Sequence, residues 1–175
     1  MNAKSYILFD LDGTLTDPMV GITKSVQYAL KSYEPDLKRL TPFIGPPLKD
    51  SFMEYYGFPE EQAKEAIGRY REYFAVTGIF ENRVYEGIPE LLKNLKTAGK
   101  HLLVATSKPE LFAIQILEHF HLKEYFDFIG GASMGEGRVR KGDVITYVLD
   151  TVTLTDVSAA VMVGDREHDI LGAKK

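Results

Sequence analysis

The segment YILFDLDGTLTDP at residues 6–18 constrains the fold more than any other, because an apolar run ends there in acidic residues. Four consecutive aromatic, branched or otherwise apolar residues are typical of a buried strand. Asp10 and Asp12 follow one residue apart, where like charges repel. An Asp-Gly pair between alternating residues also indicates a β-hairpin, but the nearby Pro18 and Gly21 are poor strand residues. We therefore favour a buried strand that ends at Asp10, with the hairpin as the alternative.

The spacing of apolar residues divides the rest of the chain into two regions. Residues 17–81 follow helical spacing without a convincing strand pattern, which predicts an inserted helical subdomain. Residues 82–175 alternate strands and helices, which predicts βαβ units and a parallel sheet shared with residues 1–16. The predicted strands are 5–10, 101–107, 126–131 and 159–165, and the helices between them are 88–99, 109–120 and 141–152. The expected fold class is α/β, a Rossmann-like parallel sheet flanked by helices, with a helical subdomain inserted after the first strand.

The composition excludes several classes of function. The 175-residue chain has no cysteine, which excludes disulfides, thiolate catalysis and cysteine-bound metals. Its net charge is −4 and it shows no basic face, so we expect no nucleic-acid partner. No apolar run approaches the ~20 residues of a membrane helix, and the N-terminus lacks the features of a signal peptide. We therefore expect a soluble, cytoplasmic protein without a membrane partner, whose His119, His121 and His168 are structural or exposed.

Acidic residues recur where the predicted strands end. The first strand ends at Asp10 and Asp12, which face the same side in an extended chain, and the last ends at Asp165. Parallel strands bring these ends to one edge of the sheet, where ligands bind. If a helix begins within GDREHD, Asp165 and Asp169 lie four residues apart on one face of it. Acids that meet in a half-buried cleft need a neutralising charge, and Mg²⁺ is the expected cofactor because it prefers carboxylate ligands and a substrate phosphate.

The residues expected opposite the acids indicate an anionic ligand. Thr106 and Ser107 end a predicted strand and offer a hydroxyl and backbone N–H groups at a strand-to-helix turn, a natural anion site. Lys108 and Lys141 add positive charge. Because the helix dipole disfavours a cation at the start of a helix, the place of Lys141 indicates an anionic ligand. For either lysine, a solvated surface position remains the alternative.

Four separated motifs together resemble those of the haloacid dehalogenase superfamily of phosphotransferases. They are DLDGT at residues 10–14, Thr106, Lys141 and GDREHD at residues 164–169. The segments GITKSVQYAL and FIGPPLKDSF are similar to the type-1 cap of its phosphoglycolate phosphatase and 5′-nucleotidase-like branch. The resemblance implies a catalytic core at residues 1–16 and 82–175, with a helical cap at residues 17–81.

The resemblance also implies a role for each site residue. Asp10 is the nucleophile that becomes an aspartyl-phosphate, and Asp12 is the general acid and base. The carboxylates of Asp10 and Asp165 and the backbone carbonyl of Asp12 bind Mg²⁺. Asp169 holds waters of the metal or orients its ligands. The substrate phosphate is bound by Thr106, Ser107 and Lys141.

The implied function is Mg²⁺-dependent hydrolysis of a small phosphate monoester, with phosphoglycolate-like acids and 5′-nucleotides as the leading substrates. An acid at position 12 also fits phosphomutases, so β-phosphoglucomutase-like phosphoryl transfer is the alternative. Relatives usually continue for another strand and helix after the fourth motif, so we expect the core to lack these elements and the strand at 159–165 to lie at a sheet edge. The alternative of another class is therefore an inactive binding or regulatory protein. We expect a monomer or homodimer.

Overall fold

The computed structural model describes residues 4–31, 36–135 and 137–174, so residues 1–3, 136 and 175 of the predicted core and residues 32–35 of the predicted cap lie outside the described ranges. The strands are Tyr6–Phe9 (β1), Thr16–Asp17 (β2), Arg83–Val84 (β3), His101–Pro109 (β4), Phe128–Ala132 (β5) and Ala160–Val163 (β6). The α-helices are Met19–Leu30 (α1), Leu48–Tyr56 (α2), Glu60–Phe74 (α3), Ile88–Thr97 (α4), Glu110–His119 (α5), Lys141–Thr151 (α6) and Glu167–Ala173 (α7). Short 3₁₀ helices lie at Leu37–Phe43, Gly78–Phe80, Lys123–Tyr125 and Val157–Ala159. Within the described ranges, no helix is long and apolar enough to cross a membrane.

The central sheet is parallel, and its strands lie in the order β5-β4-β1-β6. Its register pairs Tyr6 of β1 with His101 of β4 on one side and with Ala160 of β6 on the other. The chain builds β1, β4 and β5 outward in one direction and then crosses back to place β6 on the far side of β1. Ligands bind beyond the carboxyl ends of the strands where the order reverses in this way. The α/β class with a parallel sheet, predicted from the alternating pattern, is confirmed by these pairings.

Helices cover both faces of this sheet. The helix α6 packs on one face through a buried cluster formed by Leu8, Leu103, Ala105, Val144, Ile145 and Val148. The connections through α5 and α6 cross the sheet in opposite directions, so right-handed crossovers place α5 on the other face. That helix buries Phe112, Ala113, Ile116 and Leu117. The sheet is therefore held from both sides, and its carboxyl edge is left for polar side chains.

The strands differ in how deeply they are buried. Residues Leu102 to Ala105 of β4 are fully buried, as expected for a central strand covered on both faces, and this burial explains their continuous apolar run. Within the described residues β6 pairs with β1 alone and lies at the edge of the sheet. Its Val161 and Val163 are partly exposed, with relative accessibilities of 37% and 38%.

The chain divides into two compact units, Met1–Asp17 with Val84–Lys175 and Pro18–Arg83. The predicted cap, residues 17–81, differs from the second unit by one residue at its start and two at its end. That unit contains α1, α2 and α3 and no strand apart from Arg83 of β3 among its described residues. Gly21 of α1 packs directly on backbone, since a Cβ there would lie 1.9 Å from the carbonyl oxygen of Gly78. The core of the unit includes Phe52, whose ring packs edge-on against Phe43 with centroids 4.9 Å apart.

Candidate active site

The first acidic residues lie in a tight turn directly after β1. The Oδ1 atom of Asp10 accepts a hydrogen bond from the backbone N–H of Leu11 at 2.8 Å. Gly13 has a φ of +84°, and a Cβ there would lie 2.4 Å from Oδ2 of Asp165, so the turn requires glycine. The next strand, β2, pairs with β3 in a separate two-stranded sheet. The hairpin alternative is therefore wrong, and the turn brings the backbone after β1 against Asp165.

The last acidic residues lie between β6 and α7. The helix begins only at Glu167, so the prediction that Asp165 and Asp169 share one helix face is wrong. Asp169 lies in the first turn of α7, and its Oδ2 caps the helix by accepting a hydrogen bond from the N–H of Arg166 at 3.0 Å. Gly164 leaves room for this carboxylate, since a Cβ there would lie 2.1 Å from the same oxygen. The bend and the cap, rather than a shared helix face, position the two acids.

Carboxylates from the two ends of the sequence meet beside the carboxyl ends of β1 and β6. One oxygen each of Asp10, Asp165 and Asp169 lies within 4.8 Å of the others. Asp10 and Asp169 are buried, whereas Asp165 is exposed. The predicted ligands Asp10 and Asp165 are thus brought together, and Asp169 lies within the same 4.8 Å limit of both. A set of carboxylate oxygens fits a hard divalent cation such as Mg²⁺, which keeps several waters as further ligands.

Lys141, the first residue of α6, bridges two of these acids. Its Nζ lies 2.8 Å from Oδ1 of Asp10 and 2.8 Å from Oδ1 of Asp169, and it donates a hydrogen bond to the carbonyl of Ala105 at 3.0 Å. The side chain is only 5% exposed, so the surface alternative for Lys141 is wrong. Its unfavourable place at a helix start is offset by the protein's own carboxylates. The position of Lys141 at a helix start therefore does not indicate a bound anionic ligand. A role of Lys141 in binding the substrate phosphate stays a prediction.

Thr106 and Ser107 lie inside a strand. We predicted a strand-to-helix turn here, but β4 runs through Pro109. The register between β4 and β5 shifts between Ala105 and Pro109, and such irregularities re-aim side chains beside functional sites. Thr106 is buried, and its Oγ1 accepts a hydrogen bond from the N–H of Lys108 at 3.2 Å. Because this bond uses an oxygen lone pair, the hydroxyl hydrogen can still donate to an anion. No hydrogen bond joins Thr106 or Ser107 to an acidic side chain in the part of the chain that the structure describes.

Two further residues belong to the site. Lys108 Nζ lies 2.8 Å from Oδ2 of Asp12, with side chains only 5% and 11% exposed. The sequence marks Lys108 as a positive charge opposite the acids without giving it a role, and the alternative of a solvated surface position is wrong for this side chain. Its spacing of two residues from Thr106, which puts both on one side of an extended strand, was the available signal. Thr14 donates a hydrogen bond from Oγ1 to Oδ1 of Asp165 at 3.4 Å, a contact that no pattern in the sequence marks.

The charges of the site call for a cation. Its four carboxylates are opposed by two buried lysines and by the exposed Arg166, whose Nε lies 3.6 Å from Oδ2 of Asp165, which leaves a formal charge of −1 when all are ionised. Burial raises the pKa of Asp10 above its ordinary value, Lys141 opposes this rise, and the charges of Asp169 and Asp12 add to it. Oδ1 of Asp12 is buried without a hydrogen-bond partner among the described residues. A divalent cation would offset this negative charge and favour the ionised form of Asp10.

Known proteins resemble this chain along nearly its whole length. A family model described as haloacid dehalogenase-like hydrolase matches residues 7–175. The chain is 52% identical over 172 residues to a 5′-nucleotidase of Pseudomonas aeruginosa, and the aligned region covers 97% of this chain and 77% of that protein. It is 41% identical over 170 residues to the tyrosine-protein kinase PtkA of Mycobacterium tuberculosis, and the aligned region covers 95% of this chain and 57% of that protein. The crystal structure of a predicted phosphatase from Clostridium acetobutylicum matches with a TM-score of 0.93 and 53% identity, covering 98% of this chain and 80% of that one.

Proposed function

Since this chain belongs to the haloacid dehalogenase-like hydrolase family and is a phosphoric monoester hydrolase of it, we propose that it hydrolyses a small phosphate monoester with Mg²⁺ through an aspartyl-phosphate on Asp10. One observation carries the proposal. The carboxylates of Asp10, Asp165 and Asp169 lie within 4.8 Å of one another at the edge of the sheet where ligands bind. This arrangement can hold a cation beside a carboxylate that is free to attack phosphorus.

The first chemical step transfers the phosphoryl group to the protein. A carboxylate oxygen of Asp10 attacks phosphorus, and the bond between phosphorus and the ester oxygen breaks. The carboxyl group of Asp12 gives its proton to that oxygen, so an alcohol leaves. We assign the phosphoryl oxygens to Thr106, Ser107 and Lys141. These donors offset the negative charge of the transition state, which is the main requirement of phosphoryl transfer.

The second step returns the site to its starting state. A water attacks the phosphorus of the aspartyl-phosphate while the carboxylate of Asp12 takes its proton. The bond between phosphorus and the Asp10 oxygen breaks, which releases inorganic phosphate and restores the Asp10 carboxylate. Asp12 ends the cycle protonated and ready to act again as an acid. One residue therefore supplies the acid of the first step and the base of the second.

Mg²⁺ would be held between the segment that follows β1 and the segment that follows β6. The carboxylates of Asp10 and Asp165 and the backbone carbonyl of Asp12 are the proposed ligands, with Asp169 holding the metal's waters or orienting its ligands. When bound, Mg²⁺ neutralises charge on the transferred phosphoryl group. Lys141 contacts both Asp10 and Asp169, so its positive charge offsets the repulsion between these two carboxylates.

Removal of the metal is expected to abolish the activity. With EDTA present, hydrolysis of p-nitrophenyl phosphate falls to background, and excess Mg²⁺ restores it, because Asp10 cannot approach a phosphate dianion in an uncompensated acidic site. Asp165→Asn raises the half-saturating Mg²⁺ concentration by roughly tenfold or more, since it removes one charged ligand. Asp150→Asn, which alters an exposed residue at the far end of α6, leaves this Mg²⁺ concentration unchanged. Full turnover in EDTA would contradict the proposal, and no release from any ester with Mg²⁺ would favour an inactive binding protein.

A 5′-nucleotide is the substrate class that we favour over phosphoglycolate-like acids, because a relative 52% identical to this chain is named a 5′-nucleotidase. A panel of nucleoside 5′-monophosphates, phosphoglycolate and sugar phosphates, compared by kcat/KM, tests this choice. Phosphoryl transfer to an acceptor other than water is the second candidate, since a relative 41% identical is named a kinase. Phosphate release that needs no added acceptor supports hydrolysis, whereas a phosphoprotein that persists until an acceptor is added supports transfer.

A further inference from the structure

The two buried lysines of the site divide the acidic residues between them. Lys141 contacts Asp10 and Asp169, whereas the ion pair of Asp12 is with Lys108, at 2.8 Å. Both members of this pair are almost fully buried, with side chains 5% and 11% exposed, so solvent screens their attraction little. The nucleophile and the proton donor of the proposed reaction, although only one residue separates them, therefore each have their own cation.

The backbone that carries Lys108 is closely packed. Its N–H donates to Oγ1 of Thr106, and it lies in the segment of β4 where the register with β5 shifts. On β5, Gly131 lies so close that a Cβ there would be 2.6 Å from the carbonyl oxygen of Lys108 and 2.6 Å from Cα of Glu110. Only a glycine permits this approach. Lys108 is thus presented by fixed backbone rather than by a loop, which is how positioning groups are best held.

The two carboxylate oxygens of Asp12 have different surroundings. Oδ2 is held by Lys108, whereas Oδ1 is buried and has no hydrogen-bond partner within the described ranges. A buried carboxylate oxygen calls for a hydrogen-bond partner, and a general acid must come within hydrogen-bond reach of the atom that it protonates. We propose that Lys108 is a positioning residue that binds Oδ2 of Asp12 and thereby presents Oδ1 to the ester oxygen of the substrate. This inference rests on the role of Asp12 in the proposed function.

The first test compares two leaving groups. In Lys108→Met, kcat/KM for an alkyl ester such as glycerol phosphate falls about tenfold to a hundredfold, because its leaving oxygen needs the proton of Asp12. For p-nitrophenyl phosphate, whose leaving group departs without a proton, kcat/KM falls by less than about threefold. The ratio kcat/KM reports only the steps through phosphorylation of Asp10, so a defect in the later hydrolysis does not enter. Lys123→Met, an exposed lysine of the same unit, changes neither value. Equal losses for both esters would overturn the proposal.

A double-mutant cycle separates positioning from direct substrate binding. If Lys108 acts through Asp12, then Asp12→Asn with Lys108→Met is no slower on the alkyl ester than Asp12→Asn alone, to within about twofold. If the two losses multiply, Lys108 acts on the substrate itself and the proposal is wrong. Activity of the unchanged protein with Mg²⁺ is measured alongside. Its absence would refute the proposed function, whereas its presence without these effects refutes only the role of Lys108.

Restoration of the ammonium group gives a readout that survives if Lys108→Met folds poorly. The chain has no cysteine, so Lys108→Cys introduces a single thiol. Aminoethylation of that thiol in denaturant, followed by refolding, rebuilds a side chain of the length and charge of lysine. Refolded unmodified protein is the reference for recovery. Return of the alkyl-ester kcat/KM after aminoethylation, but not after carbamidomethylation, supports the proposal, and equal values for the two adducts would overturn it.

Discussion

Replacement of Asp10 by asparagine abolishes phosphate release, with a loss of roughly 10⁴-fold or more in kcat, since removal of a covalent nucleophile leaves only binding and charge stabilisation. The fold is retained. Burial already raises the pKa of Asp10, so a neutral side chain suits this position. The amide oxygen can still accept the hydrogen bond from Leu11, and Lys141 keeps its contact with Asp169. Initial rates and thermal unfolding, measured with and without Mg²⁺, check both statements.

The control for this experiment is Asp150→Asn, which removes an exposed carboxylate of the same unit. Its activity and unfolding temperature should match those of the unchanged protein. An Asp10→Asn protein that is folded and still hydrolyses phosphate esters would exclude Asp10 as the nucleophile. Mass spectrometry of the tested sample must show that the asparagine has not reverted by deamidation to aspartate.

Replacement of Asp12 by asparagine separates the two chemical steps. Steady-state turnover falls by about 10² to 10⁴-fold, the usual contribution of a general acid and base. With p-nitrophenyl phosphate the first step survives because the leaving group needs no proton, while the second step loses its base. Aspartyl-phosphate therefore accumulates. A rapid-quench measurement should show one burst of p-nitrophenol per active site, followed by slow turnover.

The burst distinguishes this role from a structural one. If Asp12 only supported the fold, both steps would slow together and no phosphorylated protein would accumulate. Turnover at the rate of the unchanged protein would refute the assignment directly. The asparagine also loses its ion pair with Lys108, which leaves a buried ammonium group with a neutral partner. A lower unfolding temperature is therefore expected in this variant and does not count against the kinetic result.

The position of Asp10 could be predicted from the sequence because its causes are local or follow from simple topology. A run of apolar residues that ends in an acid marks the end of a buried strand. Alternation of strands and helices implies a parallel sheet, and a parallel sheet brings the ends of its strands to one edge. Asp10 and Asp165 are therefore expected at the same edge of the sheet, without knowledge of any side-chain contact. The structure brings their carboxylates together there.

The side-chain pairings could not be predicted, because they depend on packing between distant elements. The sequence marks Lys141 as a cation at a helix start but not that α6 carries it to Asp10. Asp169 was placed on a shared helix face by its spacing, yet the helix begins later and Asp169 caps it. Lys108 precedes a proline, and a proline usually indicates the end of a strand. In the structure, however, β4 continues through Pro109 after a shift in register. In each case the local pattern was present, and tertiary contacts decided its meaning.

The proposed reaction requires that Asp10 carry the phosphoryl group, and the location of that group in a quenched sample tests this requirement. Asp12→Asn protein is mixed with p-nitrophenyl phosphate and Mg²⁺, quenched in acid during the burst and mapped by peptide mass spectrometry. We expect a phosphoryl group on Asp10, which is absent when EDTA replaces Mg²⁺ and absent in the double variant that also carries Asp10→Asn. Phosphate release by the unchanged protein together with a phosphoryl group on another residue, or on none, would contradict it.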